Sequence, residues 1–186
     1  MSTTNYDDSL DDLLIIVDEQ DQQTGVASNL EAHQQGLLHR AFSVLLWRAG
    51  EAGPELLLQR RALRKYHSGG LWANSCCSHP RDGESLEQAV PRRLTEELGV
   101  DMGQVRDLRE VGSFTYCHWF SPRMCEHEFD NVFVASYDGA LAPDPCEIME
   151  LRWVPLAQVE RFVAEQPQDV VVWFAAVYEL AKPHIG

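Results

Sequence analysis

Residues 85–99 are SLEQAVPRRLTEELG, the stretch with the clearest structural pattern in the chain. Four apolar residues recur at every fourth position, a spacing that places side chains on one face of a helix: Leu86, Val90, Leu94 and Leu98. Gly99 follows them, where a glycine commonly ends a helix in a left-handed conformation. The pattern predicts a helix over residues 85–98. Because Pro91 lacks a backbone donor, we expect either a kink in this helix or a later start.

Two rows of opposite charge lie beside the apolar stripe of this predicted helix. Arg92 and Glu96 are four residues apart, and so are Arg93 and Glu97. Such pairs usually lie on an exposed helix face, where each contributes about 0.2–0.5 kcal/mol to helix stability. The local sequence alone therefore favours two surface ion pairs.

Short apolar segments of strand length precede and follow the predicted helix in the sequence. They cover residues 13–17, 41–47, 56–59, 111–119, 129–137 and 151–154. The turn-rich connector at residues 49–54 predicts that the second and third segments form a hairpin. Helical spacing over residues 156–182, interrupted by Pro167, predicts further helix near the end. Strands mixed with a few helices indicate one α/β or α+β domain over residues 13–186.

The composition limits the classes of protein that the chain can belong to. Its 186 residues include 15 Lys and Arg against 29 Asp and Glu, a formal net charge of −14. Nucleic acids and anionic membranes bind proteins with a positive field, so we expect neither as a partner. No apolar segment approaches the ~20 residues that cross a bilayer. We expect residues 1–12 to be an acidic, flexible tail rather than a signal peptide. We also expect the five cysteines to be reduced and the protein to be cytoplasmic.

One candidate site lies in residues 71–80, LWANSCCSHP. Pro80 biases His79 toward an extended conformation, and in an extended chain Cys77 and His79 project to the same side. A thiol would then lie beside a potential metal ligand. Two buried thiols and a loop histidine are an equally good interpretation of the local sequence.

A second candidate site lies in residues 125–130, CEHEFD. On a strand, Glu126 and Glu128 share one face and His127 takes the other. Two carboxylates that lead into an apolar strand are costly to bury unless a cation or a proton neutralises one of them. The segment therefore predicts a metal site or an acid with a shifted pKa, with a solvated strand end as the alternative.

Two further histidines, His33 and His39, lie in what we interpret as a polar loop. With His79, Glu126 and Glu128 they would form a five-ligand nitrogen and oxygen site suited to Mn²⁺, Zn²⁺ or Mg²⁺. Spacing in the sequence does not establish that these five residues converge.

Residues 78–100 resemble a degenerate Nudix box, G-x5-E-x7-R-E-U-x-E-E-x-G-U. Ser78 stands for the glycine, and Arg93 stands for the first glutamate of the R-E pair, a metal ligand in Nudix hydrolases. Together with NSCCSHP at residues 74–80 and EHE at residues 126–128, the chain resembles the type I isopentenyl diphosphate isomerases from about residue 33 to residue 173. This resemblance implies a single Nudix-type α/β/α sandwich with a mixed sheet.

The resemblance also implies an activity, the interconversion of isopentenyl and dimethylallyl diphosphate in isoprenoid biosynthesis. An alkene is protonated to a tertiary carbocation, and a proton then leaves a neighbouring carbon, so two proton-transfer groups and a dry pocket are needed. The resemblance assigns these roles to Cys77 and Glu128, with Tyr116 hydrogen-bonded near Glu128. Trp173 would stabilise the cation by about 0.5–2 kcal/mol through its ring; alternatively, it is one more aromatic residue of a C-terminal helix.

The diphosphate end has its own candidates in a basic segment. Four positive charges fall within six positions: Arg60, Arg61, Arg64 and Lys65. The resemblance implies that Arg61, Lys65, Ser78 and Arg93 contact the substrate, and arginine suits phosphate because its fork donates two hydrogen bonds. It further implies a Mg²⁺ ion that bridges the diphosphate, held by Glu97 and the backbone carbonyl of Cys77. Asn29 stands where some family members carry a lysine.

Two other functions remain as alternatives. A Nudix-type diphosphohydrolase would act on a nucleotide or prenyl diphosphate, and Arg93 and Cys77 argue against it. A non-catalytic metal-binding or ligand-binding module would not need Cys77, Tyr116, Glu128 and Glu97 together. We therefore expect an isomerase whose partner is a small prenyl diphosphate, acting as a monomer or weak dimer.

Overall fold

The computed structural model describes residues 13–65 and 67–186, so the predicted tail at residues 1–12 lies outside the described residues. The described residues form nine strands and four α-helices in chain order: β1 Leu13–Val17, β2 Gln23–Ser28, α1 Asn29–Gln35, β3 His39–Gly50, β4 Gly53–Arg61, β5 Trp72–Ala73, β6 Cys76–Ser78, α2 Leu86–Leu98, β7 Arg106–Ser121, β8 Met124–Ser136, β9 Ile148–Pro155, α3 Leu156–Glu165 and α4 Phe174–Ala181. No helix among the described residues is long and apolar enough to cross a membrane.

The strands form one mixed sheet around β3. This strand pairs with β1, β4 and β6 in antiparallel fashion and with β8 in parallel. Strand β7 extends the sheet from β8, and β9 extends it from β4. Gly50 pairs with Gly53 at the β3–β4 connection, which confirms the predicted hairpin. The parallel pairing of β3 with β8 brings the start of β3 beside Glu128.

Helices cover both faces of the sheet. Neighbouring residues of a strand point to opposite faces, so the central strands present an apolar surface on each face. Leu45 packs in one apolar cluster with residues of α3 and α4, such as Val159 and Val177. Its neighbour Leu46 packs in a second cluster with Leu94 of α2. The fold is thus an α/β/α sandwich with a mixed sheet, as predicted.

Helix α2 forms where its apolar stripe predicts it, at Leu86–Leu98. The backbone N–H of Ser85 donates to Gln88 Oε1 at 3.0 Å, which satisfies a group at the start of the helix. Because the helix begins before Pro91, the alternative of a later start was wrong. Gly99 ends the helix at φ 65°, and a Cβ at this position would lie 2.8 Å from Ala142 Cβ, so glycine is required here.

Other local predictions differ in outcome. The helical region over residues 156–182 is confirmed as α3 and α4, which end and begin on either side of Pro167. The prediction of a polar loop that contains His33 and His39 was wrong, because His33 lies on α1 and His39 is the first residue of β3. Helix α1 has seven residues, NLEAHQQ, which are too few to display a helical period.

Candidate active site

Most of the predicted site residues line one cavity beside the start of β3. They come from β4, β6, α2, β7 and β8, from the loops after β4 and β6, and from the residue before α4: Arg61, Lys65, Cys77, Ser78, His79, Arg93, Tyr116, Glu126, Glu128 and Trp173. Asn29 also lines the cavity. His33, His39 and Glu97 lie behind this lining and are almost fully buried.

At the inner end of the cavity the predicted metal ligands converge. One ligand atom from each of His33, His39, His79 and Glu126 lies within 4.8 Å of the others. Glu128, the fifth predicted ligand, is adjacent, with Oε1 2.9 Å from His79 Nε2 and 3.8 Å from His39 Nε2. Glu126 and Glu128 share a face of β8, while His127 points away and contacts the Gly36 carbonyl at 2.8 Å. Three separate segments of the sequence therefore meet, as the hypothesis of a five-ligand site requires.

The ring orientations suit a divalent cation. The Nδ1 atoms of His33 and His39 lie 2.6 and 2.8 Å from the backbone carbonyls of Asn29 and Leu37. A carbonyl only accepts hydrogen bonds, so each Nδ1 carries the hydrogen and Nε2 faces the cluster, as in metal-binding histidines. His39 Nε2 and Glu126 Oε2 are buried and have no hydrogen-bond partner among the described residues. These donor atoms fit a metal ion with nitrogen and oxygen ligands.

Electrostatics at this end hold the carboxylates ionised. Burial acts to raise the pKa of Glu126, but hydrogen bonds with His33 and His67 outweigh it and hold the pKa well below its usual range. Burial and the charge of Glu126 act to raise the pKa of Glu128, but His39 and His79 outweigh them, so this pKa is also lowered. Burial lowers the pKa of His79, which favours the neutral, metal-binding form of its ring.

Glu128 also faces the middle of the cavity, where Tyr116 donates a hydrogen bond to its Oε2 at 2.7 Å. Burial and the charge of Glu128 raise the pKa of Tyr116 well above its usual range, so the phenol stays protonated. The ring of Tyr116 lies 6.0 Å from the ring of Trp173. One carboxylate oxygen thus accepts from a phenol while the other faces the histidines.

On the opposite side of this aromatic pair lies Cys77. Strand β6 directs Cys76 into the core beneath α2 and directs Cys77 into the cavity. Trp173 is only 4% exposed, and its Nε1 donates to Cys77 Sγ at 3.3 Å. Trp173 therefore lies beside one proton-transfer candidate, Cys77, and beside Tyr116, which donates to the other candidate, Glu128. Burial raises the pKa of the Cys77 thiol to about 12, against the opposing charge of Arg61. The thiol therefore carries its proton at neutral pH, whereas Glu128 is ionised.

The outer end of the cavity is cationic. Lys65 forms an ion pair with Glu147, and Arg93 forms one with Glu97 and lies 3.8 Å from Glu147. The guanidinium of Arg61 lies 5.7 Å from the centre of the Trp173 ring, and its buried Nε has no hydrogen-bond partner among the described residues. Glu97 is buried at 3% exposure and Arg93 lines the cavity, so the surface interpretation of this pair was wrong.

Several residues of the site were missed from the sequence. His67 Nε2 lies 2.5 Å from Glu126 Oε1, and its ring stacks on Phe120. Asp130 is buried and accepts from Ser43 Oγ at 2.8 Å, and burial together with the charge of Glu128 raises its pKa well above the usual range. Asp130 continues the alternation of Glu126 and Glu128 along β8, which was a usable signal. His67 had no local signal.

The chain is similar to known proteins over most of its length. A NUDIX domain matches residues 37–174. An isopentenyl-diphosphate Delta-isomerase of Burkholderia multivorans is 42% identical over 172 residues, covering 92% of this chain and 94% of that protein. One of Photobacterium profundum is 43% identical over 171 residues, covering 91% and 94%.

Solved structures support the fold. A crystal structure from Deinococcus radiodurans has a TM-score of 0.69 at 20% identity and covers 91% of this chain and 98% of its own. A MutT protein from Methanosarcina mazei has a TM-score of 0.60 at 21% identity, covering 79% and 95%. Because the NUDIX domain matches residues 37–174 and the relatives are 42–43% identical over nearly their full length, the chain belongs to the NUDIX family and, within it, to the isopentenyl-diphosphate Delta-isomerases.

Proposed function

We propose that this chain interconverts isopentenyl diphosphate and dimethylallyl diphosphate. The observation that carries the proposal is the sequence of contacts from Cys77 through Trp173 and Tyr116 to Glu128, in one cavity with cations at its outer end. One member of this set is a protonated thiol and another is an ionised carboxylate. The membership in the isopentenyl-diphosphate Delta-isomerase family points to the same reaction.

The proton balance of the reaction matches this pair. One group gives a proton to the terminal alkene carbon, C4, which leaves a tertiary cation at C3. The other group removes a proton from C2, and the double bond forms between C2 and C3. Each turnover leaves the donor without its proton and the acceptor with a proton taken from C2, so a proton must return from the acceptor to the donor before the next turnover in the same direction. Between them, the ring of Trp173 presents its electron-rich face to the cation.

The cationic residues bind the diphosphate in this proposal. Arg61, Lys65 and Arg93, with Ser78, face the same end of the cavity, where charge-assisted hydrogen bonds to phosphate oxygens hold the prenyl chain toward Cys77. The negative formal charge of the whole chain does not oppose this, because these cations are local and the carboxylates beside them are paired.

Two divalent ions complete the proposal. The His33, His39, His79, Glu126 and Glu128 site would hold Mn²⁺, Zn²⁺ or Mg²⁺, and a bound ion would stabilise negative charge on Glu128. Glu97 and the Cys77 carbonyl would hold a diphosphate-bridging Mg²⁺. In the structure Arg93 donates to Glu97 Oε1, so the same arginine would lie beside an ion held by Glu97.

The decisive experiment incubates the purified chain with isopentenyl diphosphate and Mg²⁺ and measures dimethylallyl diphosphate. We expect product from the wild type, none after treatment with EDTA, and losses of activity of at least about 100-fold in Cys77→Ala and Glu128→Gln. Cys76→Ala is the matched control, because Cys76 is adjacent and buried but faces the core. Undiminished turnover in Cys77→Ala, or loss in Cys76→Ala alone, would contradict the proposal.

The same preparation tests the hydrolase alternative. Arg93 occupies the position of a Nudix metal-binding glutamate, so we expect no phosphate or pyrophosphate release from nucleotide or prenyl diphosphates. Release at a rate above that of isomerisation would favour the diphosphohydrolase. A cytoplasmic location and a monomeric or weakly dimeric state remain predictions, and sedimentation of the purified chain checks the second.

A further inference from the structure

Asn74 contacts the sulfur of Cys77 and has no assigned role. It lies between β5 and β6, is fully buried, and has partners for both ends of its carboxamide. Its Nδ2 donates to the backbone carbonyls of Cys76 at 2.8 Å and Val44 at 3.3 Å. Its Oδ1 accepts from Cys77 Sγ at 2.9 Å and from Trp173 Nε1 at 3.2 Å.

The orientation of this carboxamide follows from its partners. Carbonyl oxygens only accept, so the amide end that faces Val44 and Cys76 must be the NH₂ group. The oxygen then faces Cys77 and Trp173, both of which can donate. A flipped amide would place an oxygen against two carbonyls and an NH₂ group against the indole N–H. The strands β3 and β6, which carry the two carbonyls, thereby fix the direction of Oδ1.

Three groups meet at the sulfur as a result. Trp173 Nε1 lies 3.3 Å from Cys77 Sγ and 3.2 Å from Asn74 Oδ1, so the indole N–H is shared between the two. The thiol hydrogen points to Asn74, while the indole points to the sulfur. Ser43 Oγ approaches Sγ less closely, at 3.9 Å. The thiol is thus held in one rotamer against the side of the Trp173 ring.

We propose that Asn74 is a positioning residue for the isomerisation: its carboxamide oxygen fixes the Cys77 thiol and the Trp173 indole in the arrangement that faces the reacting alkene. This inference rests on the proposed function. The hydrogen bonds of Asn74 among the described residues go to Val44, Cys76, Cys77 and Trp173, and none goes to a candidate diphosphate ligand. Its loss should therefore change the chemical step and leave substrate binding nearly intact.

Ser75 provides a matched control next to Asn74. It is equally buried, and its Oγ donates to the Leu57 carbonyl at 2.6 Å and accepts from the Leu46 N–H at 2.8 Å. These bonds tie strands together and do not reach the cavity lining. Ser75→Ala should therefore lower stability without a specific effect on turnover.

The first experiment measures kcat and KM with isopentenyl diphosphate for the wild type, Asn74→Leu, Asn74→Ala and Ser75→Ala. Leucine keeps the approximate shape of asparagine, and alanine is the second variant if leucine prevents folding. We expect kcat to fall about 100-fold in the Asn74 variants with KM within about 3-fold of the wild type, because misplacing a reacting group by about 1 Å costs this much. We expect kcat near the wild-type value in Ser75→Ala. A rise in KM at unchanged kcat, or an equal loss of kcat in Ser75→Ala, overturns the proposal.

A second experiment does not depend on turnover. Limited alkylation with iodoacetamide is followed at Cys77 and Cys76 by mass spectrometry, with fully buried Cys76 as the internal reference. Freed from Oδ1, the Cys77 thiol should react several-fold faster in the Asn74 variants at an unchanged Cys76 rate. Equal acceleration at both cysteines, or no change at Cys77, contradicts the proposal. If the wild type shows no isomerase activity, the proposed function fails, whereas the alkylation ratio still decides whether Asn74 holds the thiol.

Discussion

Two ion pairs on helix α2 have the same sequence spacing and different surroundings. Arg92 donates to both oxygens of Glu84 at 2.6 and 2.7 Å and to Glu96 at 3.0 Å, on a partly exposed face. Arg93 donates to Glu97, and its partner is buried: the side chain of Glu97 is 3% exposed, against 42% for Glu96. Consecutive residues on a helix differ in direction by about 100°, so the two arginines reach different further partners, although Arg93 also donates to Glu96 Oε2 at 3.0 Å.

The difference predicts different roles for the two pairs. The Arg92 pair joins α2 to the loop that precedes it, since Glu84 lies before the helix and also accepts from the Arg81 backbone N–H at 2.9 Å. The Arg93 pair joins α2 to the cationic end of the cavity, where Lys65 and Glu147 continue the network. Burial acts to lower the pKa of Arg93, but the charge of Glu97 outweighs it and the pKa is raised. We therefore expect substitutions in the Arg93 pair to affect turnover and those in the Arg92 pair to affect stability.

The largest effect is expected from Glu97→Gln. The substitution removes the proposed Mg²⁺ ligand and leaves Arg93 without its main partner, so kcat should fall at least about 100-fold, given the several kcal/mol that a metal ion supplies. The measurement is kcat across a Mg²⁺ titration. Glu96→Gln is the control, and its kcat should stay near the wild-type value. A kcat for Glu97→Gln that recovers fully at high Mg²⁺ would mean that Glu97 affects only the affinity for the ion.

A smaller effect is expected from Arg93→Met. The charge-assisted hydrogen bonds that Arg93 would donate to the diphosphate contribute about 1.5–3 kcal/mol, so the KM for isopentenyl diphosphate should rise about 10–100-fold. The variant retains much of the length of the side chain and loses its charge. Arg92 also lines the cavity, but Glu84 and Glu96 already bind all three nitrogens of its guanidinium, so Arg92→Met, measured in parallel, should leave KM unchanged. Equal KM values for the two variants would show that the position of Arg93 at the cavity has no role in binding.

The same comparison explains which parts of the molecule local sequence rules can predict. The apolar stripe of α2, its glycine end and the β3–β4 hairpin depend on residues close in sequence, and all three were confirmed. The surface interpretation was correct for Arg92 and wrong for Arg93, because the burial of Glu97 depends on what packs against α2. The family resemblance, which uses long-range information, predicts that Arg93 contacts the substrate, and the structure has Arg93 in the lining of the cavity.

The rest of the site depends on contacts between distant segments. Trp173 and Asn74 are 99 residues apart in sequence, and Ser43 and Asp130 are 87 apart. His33 is buried because the short helix α1 packs against β8, and seven residues are too few to reveal this. The metal ligands could be proposed by residue type, but only the parallel pairing of β3 with β8 explains why His39 lies beside Glu128.

The smallest effect is expected from Glu84→Gln, which weakens the Arg92 pair. Arg92 lines the cavity, but it keeps its hydrogen bond to Glu96 in this variant. The side chains of Arg92 and Glu84 are 19% and 15% exposed, and two short hydrogen bonds join them, so the free energy of unfolding should fall by about 1 kcal/mol at pH 7. The hydrogen bond from Arg92 lowers the pKa of Glu84 below its usual value. A carboxyl group with a lowered pKa in the folded state stabilises the fold above its unfolded pKa, about 4.3, and this contribution is lost as pH falls through the folded pKa.

Urea unfolding of the wild type and Glu84→Gln at a series of pH values tests this sign. The difference in unfolding free energy should be constant from pH 7 to about pH 5 and should shrink below about pH 4.3. Taking the difference removes the titration of the buried histidines and glutamates, which both proteins share. Turnover at pH 7 should be equal in the two proteins. A loss of kcat in Glu84→Gln would show that the Arg92–Glu84 pair is coupled to the reaction in the cavity. A difference in unfolding free energy that grows as the pH falls would contradict the stabilising role of this pair.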